Sequence, residues 1–403
     1  MENASLKGRD IIMLGIQPWD LQIGHNFKNM AKVICKNNRV LYVNRPLDHI
    51  TKWKEPEDIK TKNRLNSIKN NTNVLQEIEP GLHIFNPQTI LSSINFLPHN
   101  FLYKFLNRRN NKKLASEIKK GSQKLGFKNP ILFIDNDFYN GLYLAELLDV
   151  DCSVYYLRDY LLAQPYFNKH GKFSEPELIE KSDVIVTNSL YLNNYAKNYN
   201  NMSFYTGQGC GDDYFQNPGY VPEELKMLQG PVIGYCGFLT SMRLDIDLLE
   251  FLAKQKPEWN FVLVGPEDDD FKKSTLHNFK NVLFTGSKNE GDLPAFVHNF
   301  DVCLNPQVVN QLTIGNYPRK VDEYLAAGKP VVATRTETME AFADCTFLCS
   351  DQNEYLTAIN QALISDSDEN KNYRIKIARS HSWENTVEKV YEAINNFLIK
   401  ANG

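Results

Sequence analysis

The chain has 403 residues, 42% hydrophobic and 12% aromatic, and its 45 basic and 48 acidic residues leave a formal net charge of -3. At roughly 150 residues per domain, this length predicts two or three domains. The balanced charge excludes nucleic acid as the main partner, since phosphate-backbone binding needs a basic excess. The apolar content excludes disorder over most of the chain.

Short apolar runs fall into two series along the chain. Each run is bounded by turn residues, which is typical of strands buried on both faces of a parallel sheet. Amphipathic stretches between the runs predict helices, so each series indicates a doubly wound α/β domain. The runs lie at 11–15, 40–43, 131–134, 154–157 and 184–186, and then at 232–235, 261–264, 282–284, 302–304 and 331–333.

A stretch rich in proline and glycine at 217–222 separates the two series and is the best linker candidate. We therefore predict a first Rossmann-like domain at 1–215 and a second at 216–385. Residues 386–403 belong to a terminal amphipathic helix expected to pack back on the first domain. Ligands of such sheets bind at the carboxyl ends of the strands, so we expect the two domains to face each other across a cleft.

Local signals predict several element boundaries. Ser174, followed by Glu177 three residues later, forms the pattern of a capping box and predicts a helix start. Ser189 predicts a second helix start, and Pro318 with Gly328 predicts a helix between them. The polar residues 51–73 predict a mobile loop.

The seven cysteines are scattered, without CxxC or zinc-type spacing, so we expect free thiols and no metal site. The first ten residues show no signal-peptide pattern, and no apolar run is long enough to span a membrane. We expect a cytoplasmic protein, at most peripheral on the membrane face.

The segment at 316–332 carries the most chemical information. The predicted helix start has free N–H groups and a positive dipole end, yet Arg319 and Lys320 lie in its first turn. A bound diphosphate would remove this conflict. Glu323 could accept hydrogen bonds from sugar hydroxyls, or could simply pair with Arg319 four residues earlier.

The pattern NxPxK at 316–320, followed by EYLAAGKPVV at 323–332, resembles the signature of group 1 (family 4-like) glycosyltransferases of the GT-B fold. The glycine loop at 234–237, the strand at 260–265 and the segment at 281–286 resemble further motifs of that family, in the same order. The resemblance covers most of the second domain, whereas the first domain matches only in pattern.

The resemblance implies roles by position. Glu323 would hold the ribose of a nucleotide, while Lys320 and Arg243 would neutralise its diphosphate as catalytic cations. Arg243 could equally be a solvated residue before a helix. The other implied nucleotide-side residues are Gly237, Thr285, Gly286, Asn316 and Arg319.

Two positions depart from the family pattern. Gly315 stands where members often have the first acid of an E-x7-E pair, and Phe238 stands where they often have arginine. Asn310, Gln311 and Thr313 are polar and could substitute for the missing acid, or could be loop residues.

Polar residues after the strands of the first domain are acceptor-side candidates. Gly24 precedes a helix and would let a diphosphate or acceptor approach its N-terminus, with His25 beside it. Each candidate has a structural alternative, such as helix capping for the aspartates. The acceptor-side candidates are Trp19, Asp20, His25, Asp137 and Arg158, with Asp159 as a catalytic candidate.

Residues 96–120 mix aromatic side chains with a basic cluster. Two interpretations stay open. The segment could touch anionic lipid, as suits a lipid-carried acceptor, or it could be a solvated helix face whose apolar side packs in the core.

The resemblance implies a metal-independent, hexosyltransferase-type enzyme that moves a sugar from a UDP- or GDP-sugar to a glycan or lipid-linked acceptor. It implies retention at the anomeric carbon, no cofactor beyond the donor co-substrate, and a role in bacterial-type surface polysaccharide assembly. An inactive nucleotide-sugar-binding scaffold and an epimerase of the same fold are the alternatives.

Overall fold

The computed structural model describes residues 6–20, 26–54 and 57–402. They divide into two compact units, one running up to Gly207 and resuming at Thr386, the other spanning Gln208–Asn385. The first boundary therefore lies earlier than the expected 215/216. The reason is that Cys210 and Tyr214 pack in the hydrophobic core of the second unit.

Within the described residues, the first unit contains an eight-stranded sheet in the order β3-β4-β2-β1-β5-β6-β7-β8. All neighbouring strands are parallel except β3 and β4. The strands are β1 (Asp10–Gly15), β2 (Arg39–Val43), β3 (Leu75–Glu79), β4 (Leu82–Phe85), β5 (Ile131–Asp135), β6 (Cys152–Leu157), β7 (Val184–Thr187) and β8 (Ser203–Tyr205).

Helices connect these strands, and the second of them buries no side chain. They are α1 (Asn26–Ile34), α2 (His49–Lys54), α3 (Ile59–Asn70), α4 (Phe101–Lys124), α5 (Leu144–Leu148), α6 (Pro165–Lys181) and α7 (Leu190–Lys197). The strand order reverses between β1 and β5, where Gly15 lies opposite Asp135 in the register. The crevice at such a switch point is the usual ligand site of an open parallel sheet.

The second unit has a six-stranded, wholly parallel sheet in the order β11-β10-β9-β12-β13-β14, again within the described residues. Its order reverses between β9 and β12, so the switch point lies beyond Cys236 and Asn305. The strands are β9 (Val232–Cys236), β10 (Asn260–Val264), β11 (Val282–Gly286), β12 (Val302–Asn305), β13 (Val331–Thr334) and β14 (Phe347–Cys349).

The helices of the second unit lie on both faces of its sheet, where two buried clusters fill the space on either side. They are α8 (Ile246–Gln255), α9 (Asp269–Lys273), α10 (Leu293–His298), α11 (Arg319–Ala326), α12 (Gln352–Ser365) and α13 (Asp368–Ser380). The final helix, α14 (Trp383–Asn402), groups with the first unit from Thr386 onward. There the Asn38 side-chain amide donates to the Tyr391 hydroxyl at 2.9 Å.

Every apolar run of the two series is a strand, and the predicted starts at Ser189 and before α11 are confirmed. The capping box at Ser174 is wrong, because Ser174 and Glu175 lie buried inside α6. The Glu175 carboxylate accepts hydrogen bonds from Tyr155 and Tyr195, so tertiary contacts override the local signal. The loop expected at 51–73 is wrong too, because α2 and α3 occupy most of it.

Among the described residues, no helix combines the length and the apolar character that crossing a membrane requires.

Candidate active site

Three glycines lie at the carboxyl edge of the second sheet: Gly237 and Gly265 directly follow β9 and β10, and Gly286 is the last residue of β11. Gly237, Gly265 and Gly286 all have positive φ angles, of 150°, 145° and 67°. The Gly237 N–H donates to the Val264 carbonyl at 2.7 Å, and the Gly265 N–H donates to the Gly286 carbonyl at 3.0 Å. A Cβ on Gly265 would lie 1.9 Å from the Gly237 carbonyl oxygen. The edge therefore presents closely stacked backbone.

Lys320 lies directly against this edge. An ideal Cβ on Gly237 would lie 2.2 Å from Lys320 Cε and 2.4 Å from Lys320 Nζ, so the absent side chain is what makes room for the ammonium. Lys320 Nζ also lies 5.6 Å from the centroid of the Tyr235 ring. The sequence-predicted residues Gly237 and Lys320 are therefore neighbours in space.

The position of Lys320 follows from how α11 is fixed. Tyr324 comes one helical turn after Lys320 and points to the same side of the helix. Its buried hydroxyl accepts the N–H of Cys236, the last residue of β9, at 3.0 Å. This bond holds the first turn of α11 over the end of β9, where the strand order reverses.

The surroundings of Lys320 disfavour the charged form of its side chain. Burial lowers the pKa of the Lys320 ammonium, the Glu323 carboxylate opposes this effect, and the positive charges of Arg319 and Arg243 lower the pKa further. A cation buried beside other cations is stabilised by an anionic ligand. The dipole of α11 adds to the positive potential at its first turn. The N–H groups of Arg319 and Val321 there donate to the carbonyls of Tyr317 and Pro318, at 3.0 and 2.8 Å.

Glu323 is buried and paired within its own helix. Arg319 Nε donates to Glu323 Oε1 at 2.8 Å, which is the i,i+4 pair that the sequence left as an alternative to ribose binding. The Arg319 guanidinium also lies 3.9 Å from Glu290. Arg319 thus has two carboxylates around it, whereas Lys320 faces the glycine edge.

The loop before α11 is held by its own polar side chains. Asn310 Oδ1 accepts the N–H groups of Leu312 and Thr313 at 2.8 and 3.1 Å, and its Nδ2 donates to the Met242 carbonyl at 2.9 Å. Asn310 and Thr313 therefore have the loop role that the sequence left open. The Asn316 N–H closes this loop by donating to the Thr313 carbonyl.

The remaining nucleotide-side candidates lie along the same edge. Thr285 and Gly286 end β11, and Thr285 Oγ1 donates to the Gly286 carbonyl at 3.2 Å. Arg243 lies in the loop after β9, where its carbonyl accepts the Val308 N–H at 2.9 Å. The structure thus brings Gly237, Lys320 and the β11 end to one edge of the sheet.

A buried cluster on the other side of α11 escaped sequence analysis. Asp322 accepts the Tyr317 hydroxyl at 2.6 Å and lies 2.8 Å from His381 Nδ1. The His381 carbonyl in turn accepts the Cys210 N–H at 2.7 Å. The acidic residue in the first turn of α11, Asp322, was the one signal in the sequence for this cluster. Its partner His381 is too distant in sequence to be predicted.

The acceptor-side candidates of the first unit surround a buried ion pair. Arg158 Nε donates to Asp135 Oδ1 at 2.6 Å, and its NH1 donates to Asp159 Oδ2 at 2.5 Å. Burial alone would lower the pKa of Arg158, but the two carboxylates raise it, so the guanidinium stays charged. Arg158 also donates to Gln17 Oε1 at 3.3 Å, which links β6 to the loop after β1.

Asp137 has the capping geometry that was the alternative to acceptor binding. Its carboxylate is buried and accepts the N–H groups of Tyr139 and Asn140 at 3.3 and 3.0 Å, and the Asn140 side chain at 2.7 Å. Asn136, which the sequence did not single out, accepts the N–H of Arg158 at 2.7 Å and so joins the ends of β5 and β6.

Asp20 and Trp19 are both held in the loop after β1. The Asp20 carboxylate accepts two hydrogen bonds from the Arg64 guanidinium, at 3.2 and 2.8 Å. The Trp19 N–H donates to Asn44 Oδ1 at 2.7 Å, and its ring packs edge-on against Tyr42 at 5.2 Å between centroids. Gly24 and His25 lie outside the described residues. Among the residues that are described, no three His, Cys, Asp or Glu side chains are grouped to hold a metal ion.

Part of the second unit matches a known family. Residues 230–365 match the family described as group 1 glycosyl transferases. A relative in Bacillus subtilis (strain 168), TuaH, whose name describes it as a teichuronic acid biosynthesis glycosyltransferase, is 27% identical over 262 residues. That alignment covers 60% of this chain and 66% of TuaH, just under two thirds of the relative.

Solved structures match nearly the whole chain at low sequence identity. Sucrose-phosphate synthase from Thermosynechococcus elongatus has a TM-score of 0.67 and 15% identity, covering 97% of this chain and 100% of that one. Anabaena HepE in complex with UDP has a TM-score of 0.67 and 14% identity, covering 96% and 100%. The predicted resemblance and the α/β fold with two parallel-sheet domains are confirmed.

Gly237→Ala tests the packing of Lys320 on the glycine edge. The added Cβ would displace the Lys320 ammonium, and the φ of 150° strains any L side chain. We expect the variant to lose about 1–3 kcal/mol of stability, seen as a lower melting temperature. Gly291→Ala is the matched control, because its Cβ meets nothing within 4 Å. Equal melting temperatures for the two variants would contradict this geometry.

Proposed function

We propose that this chain, whose residues 230–365 match the group 1 glycosyl transferases, transfers a sugar from a nucleotide-diphosphate sugar to a glycan or lipid-linked acceptor. The observation that carries the proposal is the half-buried Lys320 ammonium, which lies against Gly237 at the switch point of the sheet. A backbone-lined edge beside a half-buried cation and a helix N-terminus suits a diphosphate.

The chemical task is to stabilise the nucleoside diphosphate as it leaves. Its negative charge grows in the transition state, so a cation already positioned there stabilises the transition state more than the bound donor. We assign this role to Lys320, with Arg243 as a further donor. The proposed transfer uses these cations, without a metal ion.

Glu323 is proposed to accept a hydroxyl of the nucleotide ribose. Its carboxylate is buried next to the diphosphate position, one turn further along α11 than Arg319 and Lys320. Arg319 Nε binds Oε1 and fixes the carboxylate in place. In this arrangement the ion pair and ribose binding are compatible, because the pair orients the acceptor oxygen.

The acceptor is proposed to bind at the carboxyl edge of the first sheet. Asp159 is the catalytic candidate there, held by Arg158, whose charge is fixed by Asp135. We propose transfer of a hexose with retention at the anomeric carbon, in which the leaving phosphate takes the acceptor proton. The bond between the anomeric carbon and the phosphate oxygen breaks, one glycosidic bond to the acceptor oxygen forms, and the nucleoside diphosphate leaves with the acceptor proton.

The relatives guide the choice of substrates. The name of TuaH supports a surface polysaccharide as the destination of the sugar. HepE is described in complex with UDP, which makes UDP-sugars the first donors to test, followed by GDP-sugars.

Lys320→Met tests the proposed activity. We expect acceptor-dependent release of nucleoside diphosphate from a UDP- or GDP-sugar by the wild type, and a loss of about 10- to 100-fold in the variant. A hydrogen bond to a charged group contributes about 1.5–3 kcal/mol. The assay is coupled detection of the released diphosphate, with and without lipid-linked acceptors.

Lys329→Met is the matched control. Lys329 also has its pKa lowered by burial, but it precedes β13 at the amino edge of the sheet, away from the glycines. We expect it to keep wild-type activity. Nucleotide-sugar binding without release would support the scaffold alternative, and conversion of the sugar without transfer would support an epimerase. Turnover unaffected by Lys320→Met would contradict the assigned role.

Glu323→Gln tests the ribose contact. The wild type should bind UDP about tenfold more tightly than a deoxy-UDP that lacks the contacted hydroxyl, since the buried carboxylate loses the hydrogen bond from that hydroxyl. The variant should bind both forms with nearly equal affinity, measured by calorimetry with 2′-deoxy- and 3′-deoxy-UDP. Glu290→Gln is the control, because Glu290 also lies near Arg319 but is half exposed. Unchanged discrimination in Glu323→Gln would remove the ribose assignment.

A further inference from the structure

Aromatic side chains are exposed at the start of α4, in the first unit. Phe101 is 84% exposed and Phe105 is 56% exposed, and Leu102 between them is exposed as well. The rings of Phe101 and Phe105 stack with centroids 6.4 Å apart. Folded proteins rarely leave large apolar side chains exposed side by side unless the patch contacts a partner or a membrane.

The patch continues onto the loop before α4 and onto α6. Phe96 is 67% exposed, and its carbonyl accepts Lys169 Nζ at 2.9 Å, which fixes this loop to α6. Phe173 on α6 is exposed and stacks on His99 at 4.4 Å between centroids. We call the exposed side chains of Phe96, Phe101, Leu102, Phe105 and Phe173 the aromatic surface.

The residues beneath the aromatic surface are well packed. The Asn100 side chain caps α4 by accepting the Tyr103 N–H at 3.1 Å. The buried Tyr103 ring stacks on His170 at 3.7 Å, and His170 approaches the Asn95 carbonyl at 3.2 Å. The exposed rings therefore stand on ordered structure.

A basic row follows the aromatic surface along α4. The helix carries eight basic residues and one acidic residue, in a chain whose formal net charge is -3. Among the described residues, Lys104, Arg109 and Lys112 form no ion pair, whereas Arg108 pairs with Glu146. Lys104, Arg109 and Lys112 are exposed on the same helix as Phe101 and Phe105. We call these three side chains the basic row.

The other apolar residues of α4 lie on the side of the helix that faces the core. Leu114, Ala115 and Ile118 pack in the core of the first unit, so this part of the helix is an ordinary amphipathic element. The aromatic surface is not part of that core. The second sequence-based interpretation, a solvated face over a packed apolar side, therefore explains the later turns of α4 but leaves the first turns unexplained.

We propose that the aromatic surface and the basic row bind the surface of an anionic phospholipid bilayer. Aromatic rings enter the interface between headgroups and acyl chains, while the basic row binds anionic headgroups. The positive charge concentrated in an otherwise slightly acidic chain favours this partner over a neutral apolar protein surface. The proposal goes beyond sugar transfer and holds for this surface whatever the donor is.

Vesicle binding by the full chain tests the proposal without any turnover assay. Vesicles containing phosphatidylglycerol should co-sediment the protein, and vesicles of phosphatidylcholine alone should bind it more weakly. Phe101→Ser/Phe105→Ser should weaken the partition to anionic vesicles about tenfold or more, since the apolar burial of two exposed rings in the bilayer interface is lost. Met227→Ser/Ile364→Ser is the matched control, because these side chains of the second unit are 85% and 84% exposed.

A second variant separates charge from apolar contact. Arg109→Gln/Lys112→Gln should weaken binding to phosphatidylglycerol vesicles and reduce its salt dependence, while leaving binding to phosphatidylcholine unchanged. All variants change exposed positions, and circular dichroism should show unchanged folding. Absence of wild-type binding to anionic vesicles would overturn the proposal. Vesicle binding by Phe101→Ser/Phe105→Ser equal to that of the wild type would overturn it as well. So would a wild-type protein that binds no vesicles and forms a dimer which this variant does not form.

Discussion

The hydrogen bond from the Cys236 N–H to the Tyr324 hydroxyl is the contact on which the proposed donor site depends. It joins the end of β9 to the middle of α11, and both partners are buried. Such a bond contributes about 1 kcal/mol to stability, but its geometric effect is larger. Because Lys320 comes one turn before Tyr324, fixing Tyr324 over Cys236 sets the Lys320 ammonium against Gly237.

The opposite side of α11 is fixed by a second buried contact. Asp322 binds Tyr317 and His381, and the His381 carbonyl binds Cys210. Burial raises the pKa of Asp322, while the bonds from His381 and Tyr317 oppose this rise. Helix α11 is therefore held by Tyr324 on one side and Asp322 on the other. A short helix held in this way keeps its first turn in place before any ligand arrives, which lowers the cost of binding.

Central strands were predictable from sequence because each is a continuous apolar run, such as 261–264, buried on both faces. The edge strand β3 buries no residue fully, since its three middle residues are exposed and its two end residues are half-buried, and so no apolar run predicted it. Helices α2 and α3 were missed because α2 buries no side chain and the segment is mostly polar. Ser174 misled because the capping box is a local signal, whereas the burial of Glu175 against Tyr155 is tertiary.

Some residues of the candidate site were likewise predictable from sequence, and others were not. Lys320 and Gly237 were identified from family motifs, and the structure brings them into contact. Gly265 and Asp322 were missed, because their partners lie on other strands or far along the chain. Asp137 follows a strand, as a ligand-binding residue would, but its carboxylate caps its own turn.

A crystal structure of the protein with UDP or GDP bound tests the central claim most directly. The account predicts a β-phosphate oxygen within about 3 Å of Lys320 Nζ, with the diphosphate against the backbone of Gly237 and the ribose at Glu323. A nucleotide bound elsewhere, with Lys320 still packed on Gly237 and touching no phosphate, would contradict it.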